Sequence, residues 1–427
     1  GNSITSGGNY NTVVGDEAGT AITTGDENAA LGYNSLRSNT TGSYNTAIGG
    51  NALQANTTAA QNTAIGYSAL HANTTGDFNV SIGSLSLDAN TVGDRSVAVG
   101  NLTLSAQNPA SNTDMYNVAV GYAAGAAVTT GVNNTLIGGL AGDAITTGSN
   151  NASLGHLSLS ANTTGGSNVA LGAYALYSNT TASDNTAVGK NALFVNTTGA
   201  DNVAVGASSL DANTTGASNT GIGRSALGAN TTGTGNTAVG ATALDAATTA
   251  SYNVAIGLSA LSADTLGAHA VAIGAGALSR QNFTSATNNY NIGIGYDAGL
   301  NVTTGIQNTL IGGLAGDALT TGSYNISIGY KALSSDTLGN RSVAIGREAL
   351  LNQNFTSSTE NYNVAVGYAA GLAVTTGTNN TLIGGLSGDA ITTATNNTAV
   401  GYTSLGANTT GSSNVSVGSG ALGANTT

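Results

Sequence analysis

Asn45-Thr46-Ala47-Ile48-Gly49-Gly50-Asn51-Ala52-Leu53-Gln54-Ala55-Asn56-Thr57-Thr58-Ala59-Ala60-Gln61 is followed at once by Asn62-Thr63-Ala64-Ile65-Gly66, and seventeen residues later by Asn79-Val80-Ser81-Ile82-Gly83. The unit is still present at residues 397–401 and 414–418. Numbered from its Asn, it recurs 24 times, and position 5 is Gly in every copy. A fixed period shorter than any domain means a linear array in which each turn touches only its neighbours. Seventeen residues are too few for a helical pair, so the period predicts one rung of a parallel β-solenoid made of short strands and tight turns.

Position 4 is Val, Ile or Leu in all 24 copies, and position 2 is Thr, Val, Ala or Ile. The β-branched types favour a strand, with positions 2 and 4 on one face and position 3 on the other. The expected core is position 4 (Ile48, Ile65, Val188) together with the Leu of position 9 (Leu53, Leu70, Leu193). On that phase the Ala of position 3 forms an outer stripe, punctuated by Leu136, Leu310 and Leu382; on the reversed phase, positions 2 and 4 face outward. The Gly column (Gly49, Gly66, Gly83, Gly100, Gly121) marks a corner that needs positive φ or close backbone approach. Position 15 accepts Ala59, Ala182, Ala250 and Ala394, so that turn is less demanding.

Most rungs carry Leu at position 9 and Asn at position 12. Others carry Gly at 9 and a larger apolar residue at 12, as in Gly125 with Val128 and Gly142 with Ile145. This exchange predicts that positions 9 and 12 fill one interior space. Asn heads 21 of the 24 units, so Asn45, Asn62, Asn79, Asn185 and Asn202 are expected to form a hydrogen-bonded ladder. At about 4.8 Å per rung, 24 rungs give a rod on the order of 115 Å. The whole chain, residues 1–427, reads as one continuous array. It opens in an incomplete turn and stops at Asn425-Thr426-Thr427 in mid-repeat, as expected of a segment of something longer.

Three rungs, headed by Ser96, Ala270 and Ser342, are four residues too long. The extra residues fall in 107–116, 281–290 and 353–362. These Asn/Ser/Thr-rich stretches end in Tyr116, Tyr290 and Tyr362 and are expected to protrude as contact loops. The rung before each closes with Arg95, His269 or Arg341. Duplication of a four-rung block accounts for the spacing equally well.

Composition narrows the function classes. Charged residues are 7% of the chain, Cys is absent and the net charge is -12. Eight Lys and Arg, thinly spread, make no patch for nucleic acid. No apolar run is long enough to span a bilayer. His71, His156 and His269 sit at different phases of the repeat and do not converge on a metal. The position-10 Asp residues (Asp88, Asp143, Asp211, Asp245, Asp317, Asp389) read as an edge rather than a calcium site, and no catalytic constellation or cofactor motif is present. The Asn-Thr-Thr triplets match the glycosylation pattern, yet their fixed phase fits a turn or ladder better.

Ser96-Val97-Ala98-Val99-Gly100 and Ser342-Val343-Ala344-Ile345-Gly346 resemble the Ser-Val-Ala-Ile-Gly signature of the YadA-like heads of trimeric autotransporter adhesins. The longer unit is similar to repeats of phage tail fibres and bacterial surface fibres. The resemblance covers essentially the whole chain. It implies a left-handed parallel β-roll, three chains side by side, and an extracellular role on a cell surface or virion fibre as shaft or adhesive head. The partners so implied are the chain itself, as a homotrimer, and a host-surface glycan or protein receptor. The YadA-like unit is shorter, which leaves cross-section and trimer contacts open. A second reading is ice binding by the paired Thr columns at positions 13 and 14, although Val92, Leu266 and Leu338 interrupt the latter.

Overall fold

In a computed structural model, residues 8–426 are described. The first seven residues and Thr427, which the sequence reading includes in the array, lie outside them. The chain forms two compact units, one ending at Thr215 and one beginning at Gly216. Each is a parallel β-solenoid of twelve turns, and no helix occurs among the described residues.

Each turn contributes a three-residue strand at positions 2–4. In the first unit these run from Thr12–Val14 to Val203–Val205, and in the second from Thr220–Ile222 to Val415–Val417. Neighbouring strands pair parallel and one full repeat apart: Thr46 lies on Thr63, Ala47 on Ala64 and Ile48 on Ile65. Twelve strands at about 4.8 Å make each unit roughly 55 Å along its axis.

The period predicts short strands in each turn, and the structure forms one regular strand per turn. The rest of the turn alternates in hand. Asn51, Leu53 and Gln61, at positions 7, 9 and 17, have φ of 60°, 50° and 60°, values no strand accommodates. Rung-to-rung backbone bonds continue regardless, as in Leu53 N–H to Ala69 O at 3.0 Å and Thr57 N–H to Thr74 O at 3.1 Å. Backbone polar groups therefore stay paired while the chain bends.

The position-5 glycines meet both demands at once. Gly49 has φ 131° and Gly66 has φ 135°. A Cβ on Gly49 would lie 2.5 Å from Gly66 O, and one on Gly66 would lie 2.6 Å from Gly83 O. Gly83, Gly100 and Gly121 share this conformation, so the corner stacks only as a column of glycines.

The strand phase is the reverse of the favoured one. Ala47 is fully buried, whereas Ile48 is 37% exposed and Ile65 and Val188 are half-buried. The 17-residue coil is narrow. Leu53, Leu70 and Leu193 fill it from one side and the Asn of position 12 from another, leaving room opposite for Ala or Ser and not for Ile. Ser81, at position 3, donates to Ser86 O at 2.8 Å across the lumen, and Ser153 does the same to Ser158 O at 2.9 Å.

The same correction applies to Leu136, Leu310 and Leu382, which are fully buried. They fill the space left by the position-9 glycines. A Cβ on Gly125 would lie 2.7 Å from Leu136 Cδ1, and one on Gly142 would lie 2.8 Å from Leu136 Cδ2. One Leu at position 3 thus packs over two successive glycines, with Val128 and Ile145 completing the layer.

Candidate functional site

Two surfaces stand out: the outer strand face and the insert-bearing turns. On the strand face, positions 2 and 4 point away from the lumen in every turn. None of the 24 rungs places a charged residue at either position. Leu31, Ile48, Ile82, Ile137, Leu154 and Leu171 in the first unit, and Ile222, Ile256 and Ile383 in the second, are exposed large aliphatics. The result is an apolar band following the full strand stack of each unit. Monomeric proteins rarely present an apolar patch beyond a few hundred Å² to water.

The Asn columns are internal. Oδ1 of Asn45 accepts the backbone N–H of Asn62 at 3.0 Å, and Asn62 Nδ2 donates to Gly76 O at 2.9 Å. Asn79 N–H donates to Asn62 Oδ1 at 2.8 Å, and Asn202 N–H to Asn185 Oδ1 at 3.0 Å. This column also links amides, as in Asn62 Nδ2 to Asn45 Oδ1 at 3.3 Å and Asn151 Nδ2 to Asn134 Oδ1 at 3.1 Å, so it is a ladder that caps main-chain donors as well. A second amide ladder runs at position 12, where Asn56 Nδ2 donates to Asn39 Oδ1 at 2.8 Å and Asn73 Nδ2 to Asn56 Oδ1 at 3.0 Å. Asn56 is fully buried, so its Asn-Thr-Thr triplet offers no accessible amide. In the Thr columns, Thr57 Oγ1 donates to Thr74 O at 3.0 Å, so that hydroxyl is engaged within the coil; position 13 is half-buried and position 14 is exposed.

The inserts protrude only in part. Gln107, Gln281 and Gln353 are fully buried, occupying position 12 of the long rungs, and Met115, Asn289 and Asn361 also turn inward. Gln has one more methylene than Asn. From the widened turn it reaches the ladder and accepts Asn117 Nδ2 at 3.0 Å. The end of each insert adds a two-residue parallel strand to the turn before it, as in Gly93–Asp94 with Thr113–Asp114. What remains outside includes Tyr116, Tyr290 and Tyr362, all exposed.

These tyrosines complete three side-chain stacks at position 17. Arg95 lies 5.0 Å from the Phe78 ring and 5.9 Å from Tyr116, and it pairs with Asp114. Arg341 lies 4.8 Å from Tyr324 and 5.9 Å from Tyr362, and it pairs with Glu360 at 3.2 Å. Tyr362 Oη donates to Glu360 at 2.5 Å; this bond and Arg341 hold the Glu360 carboxyl below its ordinary range. In the middle stack His269 lies 5.4 Å from both Tyr252 and Tyr290, and Asn288 stands where the others have an acid. The stacks were missed as units in the sequence, although Arg, His and Tyr recur there at one phase.

The remaining histidines are dispersed: His71 bonds Gln54 at 3.1 Å and His156 packs edge-on to Tyr174. Among the described residues no group of three or more His, Asp or Glu is placed to hold a metal ion. Among the described residues no helix is long and apolar enough to cross a membrane. No protein-family model matches the chain, and no curated protein matches it.

Beneath two inserts lies a buried carboxylate. Asp264 and Asp336 replace Asn at position 12 and are fully buried. Each follows a rung with no Asn there, Ala247 and Leu319, so an amide at this site would lack the neighbouring acceptor that Asn73 supplies to Asn90. A carboxylate needs only donors. Asp264 accepts Gln281 Nε2 at 2.6 Å and Gly267 N–H at 2.9 Å, and Asp336 accepts Gln353 Nε2 at 2.6 Å and Gly339 N–H at 3.0 Å.

Among the described residues no cation compensates either charge, and burial pushes both carboxyls above their ordinary value against the opposing hydrogen bonds. A group with a raised folded-state value holds its proton more tightly when folded. Stability therefore rises as pH falls through that raised value and levels off at the unfolded value. Half-buried Asp88, Asp211, Asp245, Asp317 and Asp389 shift the same way, each chiefly by burial. The expected result is a melting temperature that climbs from pH 7 to about pH 4. An Asp264→Asn/Asp336→Asn chain should show a flatter climb; an equal slope in both chains would refute the assignment.

Proposed function

We propose that this chain is a segment of a homotrimeric extracellular fibre, serving as its shaft or adhesive head on a cell surface or virion. The observation that carries self-association is the uncharged aliphatic band on the outer strand face. A partner covering such a band must repeat at the same rise over the same distance, which a second copy of this chain does in register. Covering one half-exposed Ile contributes on the order of 1 kcal/mol, and a dozen such layers outweigh the roughly 4–15 kcal/mol lost on association. The number three and the extracellular setting come from the resemblance of the Ser-Val-Ala-Ile-Gly segments. The role is mechanical: stacked turns hold contact sites at fixed intervals, and three-fold copies add avidity.

Light scattering on the purified chain is expected to give three times the 41.2 kDa chain mass. An Ile48→Asp/Ile65→Asp/Ile82→Asp chain places three carboxylates about 4.8 Å apart along the band. It should dissociate to one chain mass while keeping its β circular-dichroism spectrum. A parent that runs as a monomer at micromolar concentration would overturn the reading.

A further inference from the structure

We infer that the turn ends around His269 form a binding groove for a neutral saccharide ring. An open groove of about 290 Å³ is lined by Thr249, Ser251, Tyr252, His269, Thr287 and Asn288, with Leu266 and three alanines between them. Ligand sites usually run from about 300 to 1,000 Å³, so this one admits a single ring. It contains no charged side chain. Its hydroxyls and amide both donate and accept, as sugar hydroxyls require. Tyr252 is 61% exposed; His269 packs against its ring at 5.4 Å and Gly235 of the preceding turn lies close to it, so the ring offers its exposed apolar edge to the C–H groups of a pyranose.

The two other inserts set this site apart. At the equivalent positions they hold an ion pair, Arg95 with Asp114 and Arg341 with Glu360, laid against the aromatic ring. The middle insert has lost both partners together, to His269 and Asn288. His269 Nδ1 is buried with no hydrogen-bond partner. A stranded N–H costs more than a bare lone pair, which favours the tautomer with the ring proton on Nε2. An exposed cleft of this size is expected to bind with a dissociation constant on the order of 1 mM per site, lowered in effect where several chains present the site together.

The inference deepens the adhesive reading and depends on it for biological sense, but the groove lies within one chain and does not need a trimer. Saturation-transfer NMR with glucose, galactose and N-acetylglucosamine tests it on the purified chain, whose mass is measured on the same sample. At least one sugar should show transfer to its ring protons. Tyr252→Ala should reduce it at least fivefold. A His269→Arg/Asn288→Asp chain imports the arrangement already present at Arg95 and Asp114, so it is expected to fold normally and to lose the signal. Tyr324→Ala, at the counterpart of Tyr252 in the ion-paired stack, should leave it unchanged. No transfer from any of the three sugars, or undiminished transfer in the His269→Arg/Asn288→Asp chain, overturns the proposal whatever the oligomeric mass.

Discussion

A Gly66→Ala chain is expected to lose roughly 2–4 kcal/mol at the turns flanking the substitution. Two costs coincide there. The backbone has φ 135°, which L side chains rarely adopt, and the new methyl would sit 2.6 Å from Gly83 O and 2.7 Å from Gly83 C. Neither can relax alone. Gly83 carries the next corner, and its own Cβ position abuts Gly100 in turn. The neighbouring Gly50→Ala supplies the control: its methyl would meet Tyr67 Cδ2 at 3.7 Å and Tyr33 O at 4.0 Å, both ordinary contacts. Because each turn touches only its neighbours, the damage should appear as faster amide exchange at residues 45–95 and as an earlier, broader melt. Equal exchange in the Gly66→Ala and Gly50→Ala chains would refute the account.

That column was legible because it is a backbone requirement, and backbone requirements stamp one residue type on every turn. The Asn of position 12 and the Leu of position 9 were legible for a related reason, since one interior slot accepts one shape. The strand phase was not. A three-residue strand offers a single inward position, and both of its faces carry apolar residues. The larger side chains at position 4 point to the core only if the core has room. Here the lumen is already filled by Leu53, Leu70 and their equivalents, so Ile48 is left outside. A signal for this existed in the chain: Leu136, Leu310 and Leu382 replace Ala at position 3 only in rungs with Gly at position 9. Such an exchange has physical meaning only if positions 3 and 9 face each other. The carboxylates Asp264 and Asp336 were hidden differently, because the absence of an acceptor in the rung before each matters only once stacking order is known.

The same layer gives the second large effect. Leu136→Ala should destabilise the first unit by about 3 kcal/mol, through lost burial plus the void left between Gly125 and Gly142. The void is severe because neither Gly125 in the preceding turn nor Gly142 in the same turn has a side chain to lean into it. Leucine at that position has a cost of its own: Leu53 is held at φ 50°, on the order of 1 kcal/mol above a right-handed conformation. The Gly-type turns avoid that strain, since Gly125 and Gly142 take φ 60° and 57° freely, and they recover the apolar volume from position 3. The two turn types are therefore alternative solutions to one packing problem, and the exchange can be run backwards. Adding Gly142→Leu and Ile145→Asn to Leu136→Ala recreates the ordinary Ala-Leu-Asn turn. Gly142→Leu by itself should destabilise, because its Cβ would lie 2.8 Å from Leu136 Cδ2 and from Ile145 Cδ1. The triple chain should recover part of the Leu136→Ala loss and stop short of the parent, since Gly125 would still face empty space. Thermal melts of the two single-site chains and the triple chain read the coupling between positions 3 and 9 directly. Strict additivity of the substitutions would mean that these positions do not share the lumen.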